Sequence, residues 1–431
     1  MAISPTALPR ALVRASGGGR YVAALIVDAL GTGLLRPFLL LYGVTVLKLS
    51  VAATGLTMTI GICSGLGCVP LVGRWLDRGA RSTVVATSML VRVLGVAMLL
   101  VAPAGHVGLF AAAALFLGMG NQAWPAAHAA VVATVAHGRE RDAALAAGRA
   151  LRNAGLGAGA LLATVCLAGG TGALRALAAA TGLAYLVATA LAASVRLCVR
   201  PFVVGAETED DAGRAVPRMR ALLAANVVYV FCLNVPEIAL PLVVVTVLHA
   251  SPAWSAAIFV ANTVLVVTLQ VPVTVVMSRL SRRTVLVLAG IVIAASYLGF
   301  LAVTWPGQGW SVPAVAAVSV VCTIGEILYA GSATALVTAI APAAVLGRTL
   351  ARFQLSTGFG LAVSPAVITA LASHGSAVLW GTLAAATLVS AVAVSAERHS
   401  GARLGSARVS RRAGWRRGAD ARAGSPQSGT S

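Results

Sequence analysis

The stretch STVVATSMLVRVLGVAMLLVAP, residues 82–103, decides the class of structure. Its single charged residue is Arg92, and its apolar residues show no strand-like alternation. About 20 apolar residues in an α-helix cross the hydrocarbon core of a bilayer, whereas a barrel strand needs only about 10 residues of alternating polarity. The stretch therefore predicts a membrane-spanning α-helix.

Similar stretches recur along most of the chain. Of its 431 residues, 59% are hydrophobic and only 10% are charged, and the mean hydropathy is +0.92. A soluble domain carries about 25% charged residues, because its surface faces water. We therefore predict an all-α integral membrane protein with twelve spans. The expected spans are 20–44, 51–72, 82–103, 107–136, 143–168, 173–196, 220–248, 253–278, 284–305, 312–341, 347–373 and 375–396.

The arginines predict how these spans are oriented. One set of connections carries most of them, for example Arg74, Arg78 and Arg81, whereas the other set carries only Lys48 and Arg175. Basic residues accumulate in cytoplasmic loops. We therefore expect a multi-pass protein of the cell inner (plasma) membrane with both termini in the cytoplasm, which requires an even number of spans.

The chain divides into two similar halves. Several groups of residues recur at shifts of 201 to 204 positions: Pro37 and Thr45-Val46-Leu47 as Pro241 and Thr246-Val247-Leu248, Leu76-Asp77-Arg78 as Leu280-Ser281-Arg282, and Arg149, Asn153, Gly155 and Gly157 as Arg352, Ser356, Gly358 and Gly360. Such a repeat predicts two six-helix bundles related by an axis along the membrane normal. We expect a cytoplasmic N-terminal segment 1–19, bundles at 20–196 and 220–396, a central cytoplasmic loop 197–219 and a disordered basic tail 397–431.

The connection after the second span reads Gly73-Arg74-Trp75-Leu76-Asp77-Arg78-Gly79-Ala80-Arg81. It resembles the signature G-x-L-a-D-r-f-G-r-r of the major facilitator superfamily. The matching residues are Gly73, Asp77, Arg78 and Arg81, and the departures are Trp75, Gly79, Ala80 and Ser82. The resemblance implies a carrier whose two bundles alternate between conformations, with the four matching residues as a cytoplasmic gate.

Two further spans are similar to those of drug–proton antiporters in this superfamily. In the first span, Asp28 precedes glycines and Pro37, and the fifth span has the small residues of the antiporter motif without its Gly-Pro pair. The fourth span departs from the pattern, because Ala114 stands where those antiporters carry an arginine, four residues before the glycine that corresponds to Gly118. This departure puts an arginine-assisted proton relay in the fourth span in doubt.

Three acids lie within the predicted spans: Asp28, Glu237 and Glu326. An ionisable group at this depth costs about 3 kcal/mol, so each needs a functional or structural reason. An acid in an apolar cavity holds its proton near neutral pH and can exchange it. We hypothesise that Asp28 and Glu326 carry protons or bind a cationic group, with Glu237 as a third candidate. The alternative is an acid that pairs with Arg36 or Arg92 and only joins helices.

Other polar residues within the spans are candidates for a substrate cavity. They are Asn121, Gln122, Trp124, Asn226, Asn234, Asn262, Gln270 and Tyr329, in addition to Arg36 and Arg92. Each one taken singly is more often a helix–helix hydrogen bond than a ligand contact.

The sequence contains no nucleotide-binding loop, zinc motif or grouped catalytic residues, and its six cysteines are scattered. We therefore expect no enzyme, no cofactor and no metal site. The net charge of +20 comes from arginines in short connections and at the chain ends, so we expect contact with the lipid bilayer and no nucleic-acid partner.

The sequence predicts a secondary transporter that exports a small organic solute, drug-like or cationic and hydrophobic, in exchange for protons. One chain forms a complete pathway in such carriers, so we expect a functional monomer. The alternatives are a metabolite uniporter or symporter of the same fold and a non-transporting membrane receptor or assembly partner. A polytopic membrane enzyme would need polar residues clustered at one membrane face, which the sequence lacks.

Overall fold

The computed structural model describes residues 13–79, 81–166, 170–195, 216–217, 219–304 and 311–397. Within these ranges, twelve long helices are joined by short connections, and no strand occurs. The helices are α1 Gly19–Thr45, α2 Val51–Asp77, α3 Arg81–Val101, α4 Val107–Val135, α5 Gly138–Cys166, α6 Gly170–Ala193, α7 Arg220–Val245, α8 Pro252–Met277, α9 Arg282–Val303, α10 Ser311–Ile340, α11 Leu346–Ala372 and α12 Ser376–Glu397. The predicted segment 1–19, loop 197–219 and disordered tail 397–431 lie mostly outside the described residues.

Eleven of these helices in the described part are long and apolar enough to cross a membrane. The chain is therefore a multi-pass membrane protein. Helix α5 is long enough, at 29 residues, but it contains many charged side chains. These are Arg139, Glu140, Arg141, Asp142, Arg149 and Arg152. Twelve spans require α5 to cross as well, and this remains a prediction.

Several helices extend beyond their predicted spans at the arginine-rich connections. Helix α2 continues to Asp77, past the expected end at 72, and α5 begins at Gly138, before the expected start at 143. Hydropathy locates only the apolar part of a helix, whereas helical hydrogen bonding continues into polar residues.

The first helix of each half departs from α-helical geometry next to a proline. Helix α1 contains a 3₁₀ turn over Arg36–Phe38, and α7 contains a π-helical segment over Val235–Ala239. Proline lacks the N–H that the helix needs, so the backbone changes its hydrogen-bond spacing there. Both segments present an exposed charged residue, Arg36 in α1 and Glu237 in α7.

Glycines allow the helices within a half to approach closely. A Cβ atom added to Gly33 of α1 would lie 2.4 Å from the carbonyl oxygen of Leu156 in α5, and one on Gly61 of α2 would lie 2.4 Å from that of Ala114 in α4. Small residues permit such backbone contact between membrane helices. Ala114 is itself buried at this contact, which leaves no space for an arginine.

The two predicted bundles meet along two main helix pairs. Helix α2 packs against α11, and α5 packs against α8, with further contact between α5 and α10. Helix α5 also packs against α1, so it lies between α1 and the helices α8 and α10 of the second half.

Candidate functional site

Asp28 is buried in α1 between two arginines. Its Oδ1 atom lies 2.5 Å from Nη2 of Arg92 in α3, and its Oδ2 atom lies 3.7 Å from Nη1 of Arg152 in α5. Asp28 and Arg92 are both completely inaccessible to solvent. The contact connects three helices, and removing one member of this buried ion pair would leave an uncompensated charge.

Arg92 makes further contacts within the same half. Its Nε donates to the carbonyl oxygen of Ser88 at 3.3 Å, and Nη1 lies 3.4 Å from Oγ1 of Thr32 and 3.5 Å from Oδ1 of Asn121. Its guanidinium also lies over the ring of Tyr185, 4.5 Å from the centroid. Arg92 and Asn121, both predicted cavity residues, are therefore in contact.

Arg152 begins a column of stacked side chains. Its guanidinium lies over the ring of Trp124, 4.3 Å from the centroid. The ring of Trp124 stacks on His128 at 5.0 Å, and Nδ1 of His128 lies 3.1 Å from the hydroxyl of Tyr21. The column thus contains Arg152, Trp124, His128 and Tyr21, and Arg152 at its end contacts Asp28.

Glu326 lies on α10 in the other half and is 6% exposed. Its Oε1 atom lies 3.7 Å from Nη2 of Arg149 in α5, beyond hydrogen-bond distance. The side chain of Asn262 in α8 lies near Glu326, and Oδ1 of Asn262 accepts from the hydroxyl of Thr323 at 2.6 Å. Arg149 and Glu326 thus form a loose ion pair across the interface.

Arg36 and Glu237 are exposed and interact electrostatically with this group. Arg36 lies within electrostatic range of both Glu237 and Arg152, and Glu237 lies within range of Glu326, although neither Arg36 nor Glu237 forms an ion pair among the described residues. The three acids predicted from the sequence therefore belong to one set of interacting charges. We call this set the central charge cluster, which consists of Asp28, Glu237, Glu326, Arg36, Arg92, Arg149 and Arg152.

Most of the other predicted cavity residues hydrogen-bond between helices. Gln122 of α4 accepts from Nε2 of Gln354 in α11 at 3.2 Å, which joins the two halves. The remaining pairs lie within the second half: Asn234 with Ser364, Gln270 with the carbonyl oxygen of Ile327, and Tyr329 with Asn226.

Two of the four predicted gate residues contact the opposite half. Oδ1 of Asp77 accepts from the backbone N–H of Gly347 at 2.6 Å, and Oδ2 accepts from Nε of Arg348 at 2.7 Å. A Cβ atom added to Gly73 would lie 2.6 Å from that of Ala351. Asp77 therefore caps the N-terminus of α11, where a negative charge is favoured, and only a glycine at 73 permits this approach.

The other two gate residues make no such contact in the described structure. Arg78 is exposed, and Arg81 donates to the hydroxyl of Thr134 within its own half. The partner of Asp77 is instead Arg348 at the start of α11, which was not predicted from the sequence.

A second contact between the halves was not predicted. Nε of Arg282 in α9 donates to Oδ2 of Asp142 in α5 at 2.8 Å, and its Nη2 donates to the carbonyl oxygen of Gly138 at 3.2 Å. The internal repeat places Arg282 at the position equivalent to Arg78, and this equivalence could have indicated a contact of Arg282 with the first half. We call the end of the molecule that contains Asp77, Arg348, Asp142 and Arg282 the closed end.

The described hydrogen bonds and ion pairs between the halves concentrate at the closed end and at the central charge cluster. Beyond the cluster, Gly157 of α5 approaches Thr263 of α8 by van der Waals contact, at 3.6 Å from the position of an added Cβ atom. Among the described residues, polar contacts therefore join the halves at the closed end and at the cluster more than at the opposite end.

A family model described as Major Facilitator Superfamily matches residues 21–312, more than half of the chain. The chain belongs to the Major Facilitator Superfamily. This result confirms the superfamily predicted from the loop at Gly73–Arg81, and it points to a transporter and not to an enzyme. No curated protein sequence matches the chain.

Solved structures similar to this chain include three transporters of low sequence identity. A bacterial homologue of the iron transporter ferroportin, in an outward-facing state, has a TM-score of 0.71 at 13% identity, over 87% of this chain and 97% of that one. The human organic anion transporter MFSD10 has a TM-score of 0.66 at 14% identity, over 91% and 100%. The proton:xylose symporter XylE has a TM-score of 0.69 at 15% identity, over 90% and 95%. At these identities the likeness shows a shared fold.

Proposed function

We propose that this superfamily member is a proton-coupled secondary transporter that moves a small organic solute across the plasma membrane by alternating access. The proposal includes twelve spans, with α5 among them, both termini in the cytoplasm and a single chain as the functional unit. The observation that carries it is the central charge cluster, which places buried acids of both halves where the halves meet.

The contacts at the closed end support two conformations of similar energy. In the ion pairs of Asp77 with Arg348 and of Asp142 with Arg282, the acid is largely buried but the arginine is 42% and 29% exposed, so each pair contributes on the order of 1 kcal/mol. Their exchange for hydration costs little, so the closed end can open when the opposite end closes.

Protonation at the central charge cluster gives a route for coupling. A proton on Glu326 removes its attraction to Arg149, which is the ion pair of the cluster that joins the halves. A proton on Asp28 leaves Arg92 and Arg152 without their shared acid. Each proton therefore changes the relative energies of the two conformations, as coupling requires.

Export of a drug-like or cationic hydrophobic compound in exchange for protons stays a prediction from the sequence. Movement of solute and proton in the same direction is a second candidate. The ion pair of Arg149 with Glu326 joins the halves within the cluster, and Arg149 is 33% exposed and thus able to bind an anion. A uniporter and a receptor built on the same fold are the remaining alternatives.

Proteoliposomes with an internal pH dye and an imposed pH gradient test the proposal. Lipophilic cations, neutral antibiotics, sugars and organic anions are added one at a time. We expect at least one solute to trigger proton movement in the wild type and in the control Glu140→Gln, an exposed acid, but not in Asp28→Asn or Glu326→Gln.

The direction of the pH change separates exchange from co-transport. Full proton movement in both variants would contradict the assignment of Asp28 and Glu326 to coupling. Solute movement without protons would support the uniporter, and a folded protein that moves no solute would support the receptor.

A further inference from the structure

The central charge cluster carries an excess of positive charge. Among the described residues, it combines four arginines with three acids, and one of these acids, Asp28, is shared between Arg92 and Arg152. Protonation of Glu326 or Glu237 would increase the excess further. A cationic solute is repelled by such a site, whereas an anionic solute is attracted to it.

Two arginines of the cluster lie on α5 and are partly exposed. Arg149 and Arg152 lie three positions apart on α5, so their side chains leave the same face of the helix. Their side chains are 33% and 17% exposed, whereas Arg92 is completely buried. Each of these two side chains is therefore partly open to solvent, and only a small shift of the helices is needed for a solute to contact them.

Each of these two arginines also has a buried hydrogen-bond donor that is not satisfied. Neither Nε of Arg149 nor Nη1 of Arg152 has a hydrogen-bond acceptor in the described structure. Their acids, Glu326 and Asp28, each lie 3.7 Å away. A buried charged donor without an acceptor is costly, and a planar guanidinium binds carboxylate, sulfonate or phosphate oxygens in pairs.

Trp124 fixes the orientation of one of these groups. Its ring lies 4.3 Å from the guanidinium carbon of Arg152, which holds the guanidinium over an apolar surface. On the other side, Arg149 faces Glu326 of the second half. An anion bound by both arginines would thus lie beside an aromatic ring and touch the interface of both bundles.

We propose that Arg149 and Arg152 bind the anionic group of the solute, an organic anion, and that Glu326 competes with this group for Arg149. The statement that this anion is transported rests on the proposed function; its binding does not. An anion bound to Arg149 leaves Glu326 without its counter-ion, and this favours the protonated form of Glu326. Anion and proton therefore bind to the same state of the protein, which supports co-transport.

Binding to the purified full-length protein in detergent tests the site. The probes are three compounds with the same ring and different charge: benzenesulfonate, benzenesulfonamide and benzyltrimethylammonium. Benzoate and phenyl phosphate extend the anionic set. We expect the anions to bind in preference to the neutral and cationic probes, with dissociation constants measured by isothermal titration calorimetry.

Variants of the two arginines should then separate their roles from folding. We expect Arg149→Gln and Arg152→Gln each to weaken anion binding at least about tenfold, because each removes a charged hydrogen-bond donor. Arg149→Lys and Arg152→Lys keep the charge and should retain part of the affinity. Arg352→Gln changes the exposed repeat counterpart of Arg149 and should have no effect. Glu326→Gln should retain or increase the affinity, because the competing carboxylate is gone.

Three results would overturn the site: no binding of any anion to the wild type at millimolar concentration, preference for benzyltrimethylammonium, or unchanged anion affinity in both glutamine variants. Failure of the proposed function has a different signature. In that case the anions bind as expected, but they cause no proton movement in proteoliposomes. Proton movement with a cation, together with no anion binding, would support the proposed transporter and contradict the anion site.

Discussion

Asp28 differs from the other two acids of the cluster in how completely it is enclosed. Arg92 and Arg152 approach it from α3 and α5, and no part of the carboxylate reaches solvent. Glu326 has a longer ion pair with a partly exposed arginine. Asp28 therefore has a structural role in addition to the proposed coupling role, whereas Glu326 is the acid more easily separated from its partner.

This difference predicts unequal effects on stability. We expect Asp28→Asn to lower the free energy of unfolding by about 3 kcal/mol, because it leaves two largely buried arginines without an acid. Glu326→Gln should lower it by less, since Arg149 is hydrated in part. Thermal unfolding of the purified variants measures this, with Glu140→Gln as the control. An Asp28→Asn protein as stable as the wild type would contradict the structural role.

The acids could be predicted from the sequence, but most of their partners could not. Asp28, Glu237 and Glu326 are conspicuous because a charge in an apolar stretch is costly. Arg92 was available as a partner for the same reason. Arg149 and Arg152 lie in the polar first half of α5, where charge is less conspicuous, and their contacts with Glu326 and Asp28 depend on how distant helices pack.

At the scale of helices, the closed end depends on the approach of α2 to α11. Gly73 makes this approach possible, since a Cβ atom there would also lie 2.9 Å from the carbonyl oxygen of Gly347. Asp77 then reaches the N-terminus of α11 and caps it. The glycine and the acid are therefore parts of one contact, which agrees with their common presence in the loop motif.

A larger side chain at position 73 should open the closed end. We expect Gly73→Val to shift the protein away from the conformation described here, because the added atoms overlap with α11. Gly55→Val in the same helix is the control, since a Cβ atom at Gly55 meets nothing within 4 Å. Cross-linking of cysteines placed on α2 and α11 at this end measures the shift. Equal cross-linking in both variants would contradict the contact.

The pair of Asp142 and Arg282 should tolerate exchange of its charges. Asp142→Asn or Arg282→Gln alone should weaken closure by about 1 kcal/mol, roughly a fivefold change in the population ratio. The double variant Asp142→Arg with Arg282→Asp should recover part of this loss, because an ion pair across the halves can form again. The same cross-linking assay, applied to α5 and α9, measures the result. No recovery in the double variant would show that the two charges do not interact.

At the scale of the whole molecule, the membrane topology depends on α5. Its charged first half keeps it outside the set of helices that hydropathy identifies, yet it packs against α1 and α8 within the interface. If α5 crosses the membrane, Arg139 at the start of α5 and Thr171 at the start of α6 lie on opposite sides. An even number of spans then places both chain termini on one side.

Labelling of single cysteines from outside intact cells tests this topology. With the native cysteines replaced, we expect Thr171→Cys to react with a membrane-impermeant thiol reagent and Arg139→Cys to react only after permeabilisation. Both positions are exposed. Reaction of both positions from the same side would exclude α5 as a span and would contradict twelve spans.

The fold of the whole molecule could be predicted from composition, span lengths and the internal repeat, because the bilayer leaves few alternatives for so apolar a chain. Which end of the interface is closed could not be predicted in this way. The sequence of a protein that alternates between two conformations must encode both, so it does not indicate which end is closed. The partners of Asp77 and Arg282 in the opposite half became evident only from the packed helices.

Distances across the two ends of the interface give a direct test of alternating access. Spin labels at Arg139 and Arg279 report on the closed end, and labels at Leu161 and Val260 report on the opposite end; all four positions are exposed. Double electron–electron resonance is recorded at neutral and acidic pH, with and without benzenesulfonate. We predict that conditions which lengthen the first distance shorten the second. Two distances that stay constant, or that change in the same direction, under all conditions would contradict alternating access.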